Sequence, residues 1–235
     1  MKMLNAEDKY QPELVKTGDG SHTLFIPALE EHYHSFHSSV REALHVYVGN
    51  GLLAQAKSGI DRIRIFELGF GTGLNVLVTA LAAPDLQQRI EYTSIELYPV
   101  DLEKCMRLNY CDHLIASDAK MRFESIHKAP WSQWHELAPA FHLYKFQENF
   151  LSWNPKPNSY DLIYFDAFGF RAQEEMWQQE VFDKCFRMLD WGGMLLTYAS
   201  KGEVRRRMLA SGFEVEKLPG PPGKREMVRA TKKNI

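Results

Sequence analysis

The stretch Ile65-Phe66-Glu67-Leu68-Gly69-Phe70-Gly71-Thr72-Gly73-Leu74-Asn75 decides how the rest of the chain is read. An apolar run enters a glycine turn, and a helix is expected to start near Leu74. Glycines at alternate positions allow a tight turn without a Cβ and leave room for a ligand near the main chain. The amides of such a turn and of the helix N-terminus that follows make an electropositive pocket suited to an anionic group. A nucleotide-type cofactor fits that description.

Spacing narrows the choice. A dinucleotide fingerprint places glycines at the first, third and sixth positions. Those positions hold Gly69, Gly71 and Leu74, so the third glycine is missing; Gly73 instead completes Gly-x-Gly-x-Gly, with Glu67 two residues ahead of Gly69. A second carboxylate, Glu96, ends the next apolar run, Tyr92-Thr93-Ser94-Ile95-Glu96, 27 residues beyond Gly69. That is about where a ribose-binding acid closes a second strand. The combination resembles the pattern of class I S-adenosylmethionine-dependent methyltransferases. The glycine turn alone also fits an ordinary loop or another nucleotide site.

Composition is compatible with this reading. The 235 residues fit one large domain or two small ones by length, and 45% hydrophobic with 25% charged residues is the balance of a soluble globular protein with a core. No stretch reaches the length of a bilayer, and the N-terminus, Met1-Lys2-Met3-Leu4-Asn5-Ala6-Glu7-Asp8, lacks the apolar run of a signal peptide. Cys105, Cys111 and Cys185 are an odd set without Cys-x-x-Cys spacing, which points to free thiols in a reducing cytoplasm. The net charge of −2 predicts no nucleic-acid binding by itself. From 201 to 235, however, ten Lys/Arg face four Asp/Glu, a local +6 that leaves −8 for the remainder. Such asymmetry fits a phosphate-binding face on an acidic body, or a solvated helix face with a basic tail.

Residues 1–60 read as an N-terminal extension packed on a core formed by 61–235. In the extension, Thr17-Gly18-Asp19-Gly20-Ser21 is a turn and His22-Thr23-Leu24-Phe25-Ile26 a short strand ended by Pro27. Val40, Ala43, Leu44, Tyr47 and Val48 mark a helix; Asn50-Gly51 marks a turn, and a second helix is expected over 52–57. His32, His34 and His37 with Glu30 and Glu31 match no strong metal motif, and no metal is expected. In the core, strands are expected at 63–68, 90–96, 141–146, 160–165 and 194–199. Helices are expected at 74–82, 99–108, 174–189 (closed by Gly192-Gly193) and 203–209, with an irregular helical insert over 111–140. A final strand pair is expected at 213–218 and 227–231. Alternating strands and helices argue an α/β fold with a mostly parallel sheet. A hairpin-like end matches the seven-stranded, Rossmann-like methyltransferase sheet with its antiparallel last strand.

In an open α/β sheet, ligands bind beyond the C-terminal strand ends. Glu67, Gly69, Gly71, Gly73, Glu96, Glu148, Asn149 and Asp166 all fall there, with Asn75 in the first turn of the helix. The glycines would let the backbone approach the methionine and ribose moieties, and Glu96 would accept from two ribose hydroxyls. Glu148 or Asn149 would meet the adenine amino group, although the pair also fits a surface turn. Asp166, at the end of Leu162-Ile163-Tyr164-Phe165, would border the cofactor and take or steer the proton of an amine awaiting methylation. It also fits a helix N-cap. Phe168, Phe170 and Trp177 would stack on a base or pack the core.

These residues support a more specific likeness. The glycine stretch, Phe165-Asp166-Ala167-Phe168 with Met176-Trp177 downstream, Tyr198-Ala199-Ser200-Lys201-Gly202-Glu203-Val204-Arg205-Arg206 and Gly223-Lys224-Arg225-Glu226-Met227 resemble the methyltransferase domain of the MnmC family. The likeness runs from about residue 20 to the end. It implies an S-adenosylmethionine-dependent enzyme that methylates the exocyclic amine of 5-aminomethyl-2-thiouridine in the tRNA anticodon, at the wobble position. It implies cofactor contacts by Glu67, Gly69, Gly71 and Glu96 and a catalytic Asp166. The tRNA anticodon stem-loop is then the partner, with Phe168 near the base and Arg205, Arg206, Lys224 and Arg225 as candidate phosphate contacts. The sequence printed has no room for the flavin-dependent oxidase domain of bifunctional members, so a stand-alone form is expected, linked to enzymes that install the aminomethyl group. Where the family holds Asn-Pro before Met-Trp, this chain reads Arg171-Ala172-Gln173-Glu174-Glu175. Three other readings stand beside it: methylation of another amine, on a small molecule or protein; a non-catalytic nucleotide-binding module; and a spermidine-synthase-like aminopropyltransferase.

Overall fold

Alternation along Arg62–Leu68 puts Ile63 and Ile65 on one face and Phe66 and Leu68 on the other, all buried. A strand apolar on both faces needs cover on both, which is the condition for a parallel sheet between layers of helix. The computed structural model describes residues 10–34 and 38–233 and has that arrangement. His37 of the sequence reading lies outside the described residues. At the N-terminal end, β1 (Glu13–Lys16), β2 (His22–Ile26) and β3 (Glu31–His32) form a small antiparallel sheet. Helix α1 (Ser39–Ala43) runs into a π-helical stretch, Leu44–Leu52, and on into α2 (Leu53–Ala56). The main sheet begins with β4 (Arg62–Leu68), α3 (Leu74–Ala82), β5 (Arg89–Glu96), α4 (Leu102–Met106) and α5 (Ala119–Lys128). It continues through β6 (Trp134–Ala138), β7 (Phe141–Gln147), β8 (Tyr160–Phe165), α6 (Gln179–Met188) and β9 (Leu189–Thr197). Helix α7 (Gly202–Ala210), β10 (Glu214–Pro219) and β11 (Glu226–Thr231) complete it.

The strands lie in the order β10-β11-β9-β8-β4-β5-β7-β6. Those from β9 to β7 pair parallel, and β11 runs antiparallel between β9 and β10. This is the expected mostly parallel sheet with its antiparallel last strand. Strand order reverses between β4 and β8, so their outgoing loops lead to helices on opposite faces and leave a crevice between them. One face buries Ile63, Ile65, Leu162 and Tyr164 against α3, α5 and the π-helical stretch. The other buries Phe66, Ile163, Phe165 and Leu195 with Val181, Phe182 and Cys185 of α6 and Val204 and Met208 of α7.

Four expectations need correction. Asn50-Gly51 makes no turn: both residues lie within the π-helical stretch, where Asn50 Nδ2 donates to His45 O at 2.8 Å. Gly51 serves close packing there, since a Cβ would meet the Tyr164 ring at 3.3 Å. The insert over 111–140 is not all helical; β6 adds an eighth strand, antiparallel at the β7 edge, with Trp134 opposite Tyr144. The helix expected to close at Gly192-Gly193 ends at Met188, and both glycines lie within β9. It also starts later than 174, because residues 174–177 form a separate short 3-10 turn. The helix expected at 99–108 keeps only Leu102–Met106.

The end of the sheet away from the crevice is tied by charge. Asp161, 7% exposed at the start of β8, accepts from Arg64 N at 2.8 Å, Nε at 2.9 Å and Nη2 at 2.6 Å. Arg64 Nη2 also reaches Asp190 Oδ2 of β9 at 2.9 Å. Asp161→Ala would strand a backbone amide and a partly buried guanidinium, at a cost of about 2–3 kcal/mol. Thermal denaturation should then show Tm lower by roughly 5–10 °C, with cofactor affinity unchanged because the crevice lies at the other end of the strands.

Candidate active site

The glycine turn is clamped from two sides. Gly69 and Gly71 sit at positive φ, 92° and 51°, where L side chains are strained. A Cβ on Gly69 would lie 3.2 Å from the Asp166 carbonyl oxygen, and one on Gly71 would lie 3.1 Å from the Tyr33 ring. Beyond the turn opens a cavity of about 390 Å³ at the C-terminal ends of β4, β5, β7 and β8. Gly69, Gly71, Glu96, Glu148, Asn149, Asp166 and Phe168 line it, as the sequence predicts. Tyr10, Tyr33, His34, Tyr98 and Gln173 also line it, and sequence reasoning missed all five. Tyr10 stacks on Tyr98 with ring centroids 4.1 Å apart, and Tyr33 meets Phe168 edge-on at 4.9 Å.

The electrostatics differ from the expected anion pocket. The Gly71 amide donates to Glu96 Oε2 at 2.9 Å, and the Tyr98 amide to Glu96 Oε1 at 2.9 Å. The turn's own amide is thus occupied by a carboxylate of the chain. Burial pushes the Glu96 pKa up, and these amides pull against that shift. Four carboxylates, Glu96, Glu148, Asp166 and Glu175, line the cavity, with no Lys or Arg among its described lining residues. A pyrophosphate would meet repulsion here. A nucleoside bearing a positive sulfonium fits, with Ile95, Leu97 and Phe150 as apolar walls and Glu96 as a double acceptor.

Asp166 is held from both sides. Tyr47 OH donates to its Oδ1 at 2.8 Å and Asn75 Nδ2 to its Oδ2 at 2.8 Å. Its own amide donates to Leu68 O at 3.3 Å, and no helix starts on it, so it is not an N-cap. Burial raises its pKa above the usual carboxylate range, against the two donors and the charge of Lys224. The result is a carboxylate fixed in place and more basic than one in water.

Other candidates fall elsewhere. Glu67 is fully buried beneath the turn, its Oε2 accepting from Ser94 Oγ at 2.6 Å, and it does not line the cavity. Gly73 and Asn75 do not line it either; Asn75 acts through Asp166. Asn149 Oδ1 is committed to the Leu151 amide at 2.9 Å, so that loop is both turn and cavity wall. Trp177 is buried and donates from Nε1 to Phe168 O at 2.8 Å, which makes it a support for the loop after β8. Of the proposed phosphate contacts, Lys224 pairs with Glu42 at 2.5 Å and lies over the Tyr198 ring at 3.8 Å. Arg205, Arg206 and Arg225 line neither this cavity nor the neighbouring one that Lys224 borders.

Residues 140–233 match a family model described as S-adenosyl-L-methionine-dependent methyltransferase. Over 232 residues the chain is 32% identical to the tRNA 5-methylaminomethyl-2-thiouridine biosynthesis bifunctional protein MnmC of Cupriavidus metallidurans. The chain is a relative of the MnmC proteins. That alignment covers 93% of the chain and 33% of the relative, so the chain spans about a third of the length of the curated MnmC proteins it matches. MnmC2 from Aquifex aeolicus superposes with a TM-score of 0.76 at 24% identity, covering 96% of this chain and 72% of that one. A spermidine synthase from Thermotoga maritima reaches a TM-score of 0.57 at 10% identity, covering 96% and 73%, and shows a shared fold only. With the acidic cavity, these findings identify S-adenosylmethionine as the cofactor and the MnmC-type sheet as its scaffold. Among the described residues, no helix is long and apolar enough to cross a membrane.

Two substitutions probe this geometry. Glu96→Gln keeps size but loses one acceptor and the charge, so calorimetry should show S-adenosylmethionine affinity reduced by roughly tenfold or more. Tyr47→Phe removes a donor that favours ionised Asp166. The Asp166 pKa should then rise further, and an activity that runs through its carboxylate should be lost at higher pH than in the wild type. A pH–rate profile whose acid limb does not move would show that Tyr47 leaves the carboxylate untouched.

Proposed function

We propose that this chain transfers a methyl group from S-adenosylmethionine to the primary amine of 5-aminomethyl(-2-thio)uridine at the tRNA wobble position, giving the 5-methylaminomethyl nucleoside. The observation that carries the reading is a half-buried, doubly held carboxylate, Asp166, on the wall of an acidic cavity in a chain related to MnmC. When bound, the cofactor supplies a methyl group made electrophilic by its sulfonium. Glu96 would accept from the ribose hydroxyls, and the loop of Glu148 and Asn149 would hold the base.

An ammonium has no lone pair, so the substrate amine must lose a proton before or as it reacts. Asp166 accepts that proton at a carboxylate oxygen whose place is set by Tyr47 and Asn75. With the cofactor bound, the neutral amine would take the methyl group from the sulfonium, which would be left as a thioether, and the proton released would go to Asp166. The reading requires that the uridine already carry its aminomethyl group when it reaches this site. The tRNA is bound beside the loop after β8, where Arg171, Lys201 and Lys224 gather positive charge.

Labelled S-adenosylmethionine and tRNA carrying 5-aminomethyluridine test the reading directly. Nucleoside analysis should show the 5-methylaminomethyl product, and Asp166→Asn should lower kcat by roughly 10²–10⁴-fold with cofactor affinity nearly unchanged. Cofactor binding without label in tRNA would remove the substrate assignment. Full turnover by Asp166→Asn would remove the role given to the carboxylate.

A further inference from the structure

The loop after β8 has two sides. Asp166, Ala167 and Phe168 line the cofactor cavity, while Gly169, Phe170 and Arg171 line a second cavity of about 280 Å³. Its other walls come from residues 198–201 after β9, from Glu31 of β3 and from Lys224 between β10 and β11. The partition is rigid: Tyr198 OH donates to Ala167 O at 2.9 Å and Trp177 Nε1 to Phe168 O at 2.8 Å.

Charge inverts across that wall. The cofactor side carries carboxylates without Lys or Arg, whereas the second cavity gathers Arg171, Lys201 and Lys224 around the single carboxylate Glu31. Burial raises the Glu31 pKa, and those three cations pull it back. The cations also sit on aromatic faces: Lys201 Nζ lies 5.0 Å from the Phe170 centroid, and Lys224 Nζ lies 3.8 Å from that of Tyr198. Lys224 is already paired with Glu42 at 2.5 Å, while Lys201 is exposed at the cavity mouth. Flat rings beside cations are what a single unstacked nucleotide requires, a face for its base and a charge for its phosphate.

We propose that this second cavity receives the acceptor nucleotide, its base against Phe170 and its phosphate on Lys201 and Arg171, with Lys224 positioning Tyr198. The proposal rests on the methyl-transfer reading and adds the place where the acceptor binds. It sets the acceptor beside the cofactor cavity, at the loop that begins with Asp166, whose charge Lys224 of the second cavity already feels. It also moves phosphate recognition away from Arg205, Arg206 and Arg225, none of which borders the cavity.

The test is the affinity of an anticodon stem-loop RNA carrying 5-aminomethyluridine, read by fluorescence anisotropy with S-adenosylhomocysteine present. Wild type is compared with Phe170→Ala, Lys201→Ala and Arg62→Ala, the last an exposed cation at the far end of β4. Phe170→Ala and Lys201→Ala should each weaken binding by about tenfold. Lys201→Ala should also flatten the salt dependence by roughly one phosphate contact. Calorimetry should find S-adenosylhomocysteine affinity within about twofold of wild type, as for a cavity that only the acceptor enters. Lys201 is exposed, so its variant tests the site even if Phe170→Ala fails to fold. RNA affinity unchanged in Lys201→Ala, or equally weakened in Arg62→Ala, would overturn the proposal while leaving tRNA methylation by the wild type standing. A wild type that neither binds the RNA nor methylates tRNA would overturn both.

Discussion

The site depends on two loops that approach backbone to backbone. The Asp166 carbonyl oxygen stands 3.2 Å from where a Cβ on Gly69 would be, so only glycine lets the turn after β4 pass the loop after β8. Hydrogen bonds fix the approach from both neighbours: the Asp166 amide to Leu68 O at 3.3 Å, and the Gly69 and Phe70 amides to Ile95 O at 3.0 and 3.2 Å. The turn, Glu96 at the end of β5 and Asp166 at the end of β8 are therefore tied together. A side chain at position 69 would push the turn away from Asp166.

Beneath that unit lies a buried polar layer. Burial pushes Glu67 well above the usual carboxylate range, while Ser94, Asn75 and Tyr92 around it pull the other way. Thr72 is held by His34 Nε2 at 2.7 Å through its hydroxyl and by His127 Nε2 at 3.2 Å through its carbonyl. Burial pushes both histidines down to about 4, so they act as neutral struts of the turn. Lys145 completes the support: its Nζ donates to Ile126 O at 2.8 Å at the end of α5, where a cation suits the helix dipole, and lies 5.0 Å from the Phe70 ring. Asp166 has a donor on each oxygen, Tyr47 on one and Asn75 on the other, and both pull against the shift that burial causes.

How much of this was legible follows from where the information resides. Strand-forming runs such as Ile63 to Leu68 and Leu162 to Phe165 carry their own two-sided burial, so the sheet and its antiparallel end could be read locally. The acids at the strand ends could be read for the same reason, since topology places such ends together. Strand β6 could not, because Trp134-His135-Glu136-Leu137-Ala138 is an edge strand with no buried residue, defined by its pairing to β7. Asn50-Gly51 carries the local signature of a turn, yet packing of Gly51 against Tyr164 keeps the helix going. The anion pocket inferred from the glycines failed through a contact 25 residues away in sequence, Glu96 on the Gly71 amide. No local pattern reveals that a turn's donors are already taken.

The N-terminal segment is the clearest case of function hidden by sequence pattern. Tyr47 sits on the apolar face of its helix and reads as core filler, and its ring is buried as that pattern requires. Its hydroxyl nonetheless ends on Asp166, 119 residues away in sequence. Tyr33 and His34 close the glycine turn from the same segment, and Glu31 reaches the second cavity. Residues 62–233 alone supply the glycine turn, Glu96 and Asp166, but leave Asp166 with Asn75 as its single side-chain donor. One donor leaves one oxygen unsupported where desolvation already raises the pKa. The segment ahead of the glycine turn thus shapes the Asp166 carboxylate, because the Tyr47 donor pulls against that rise.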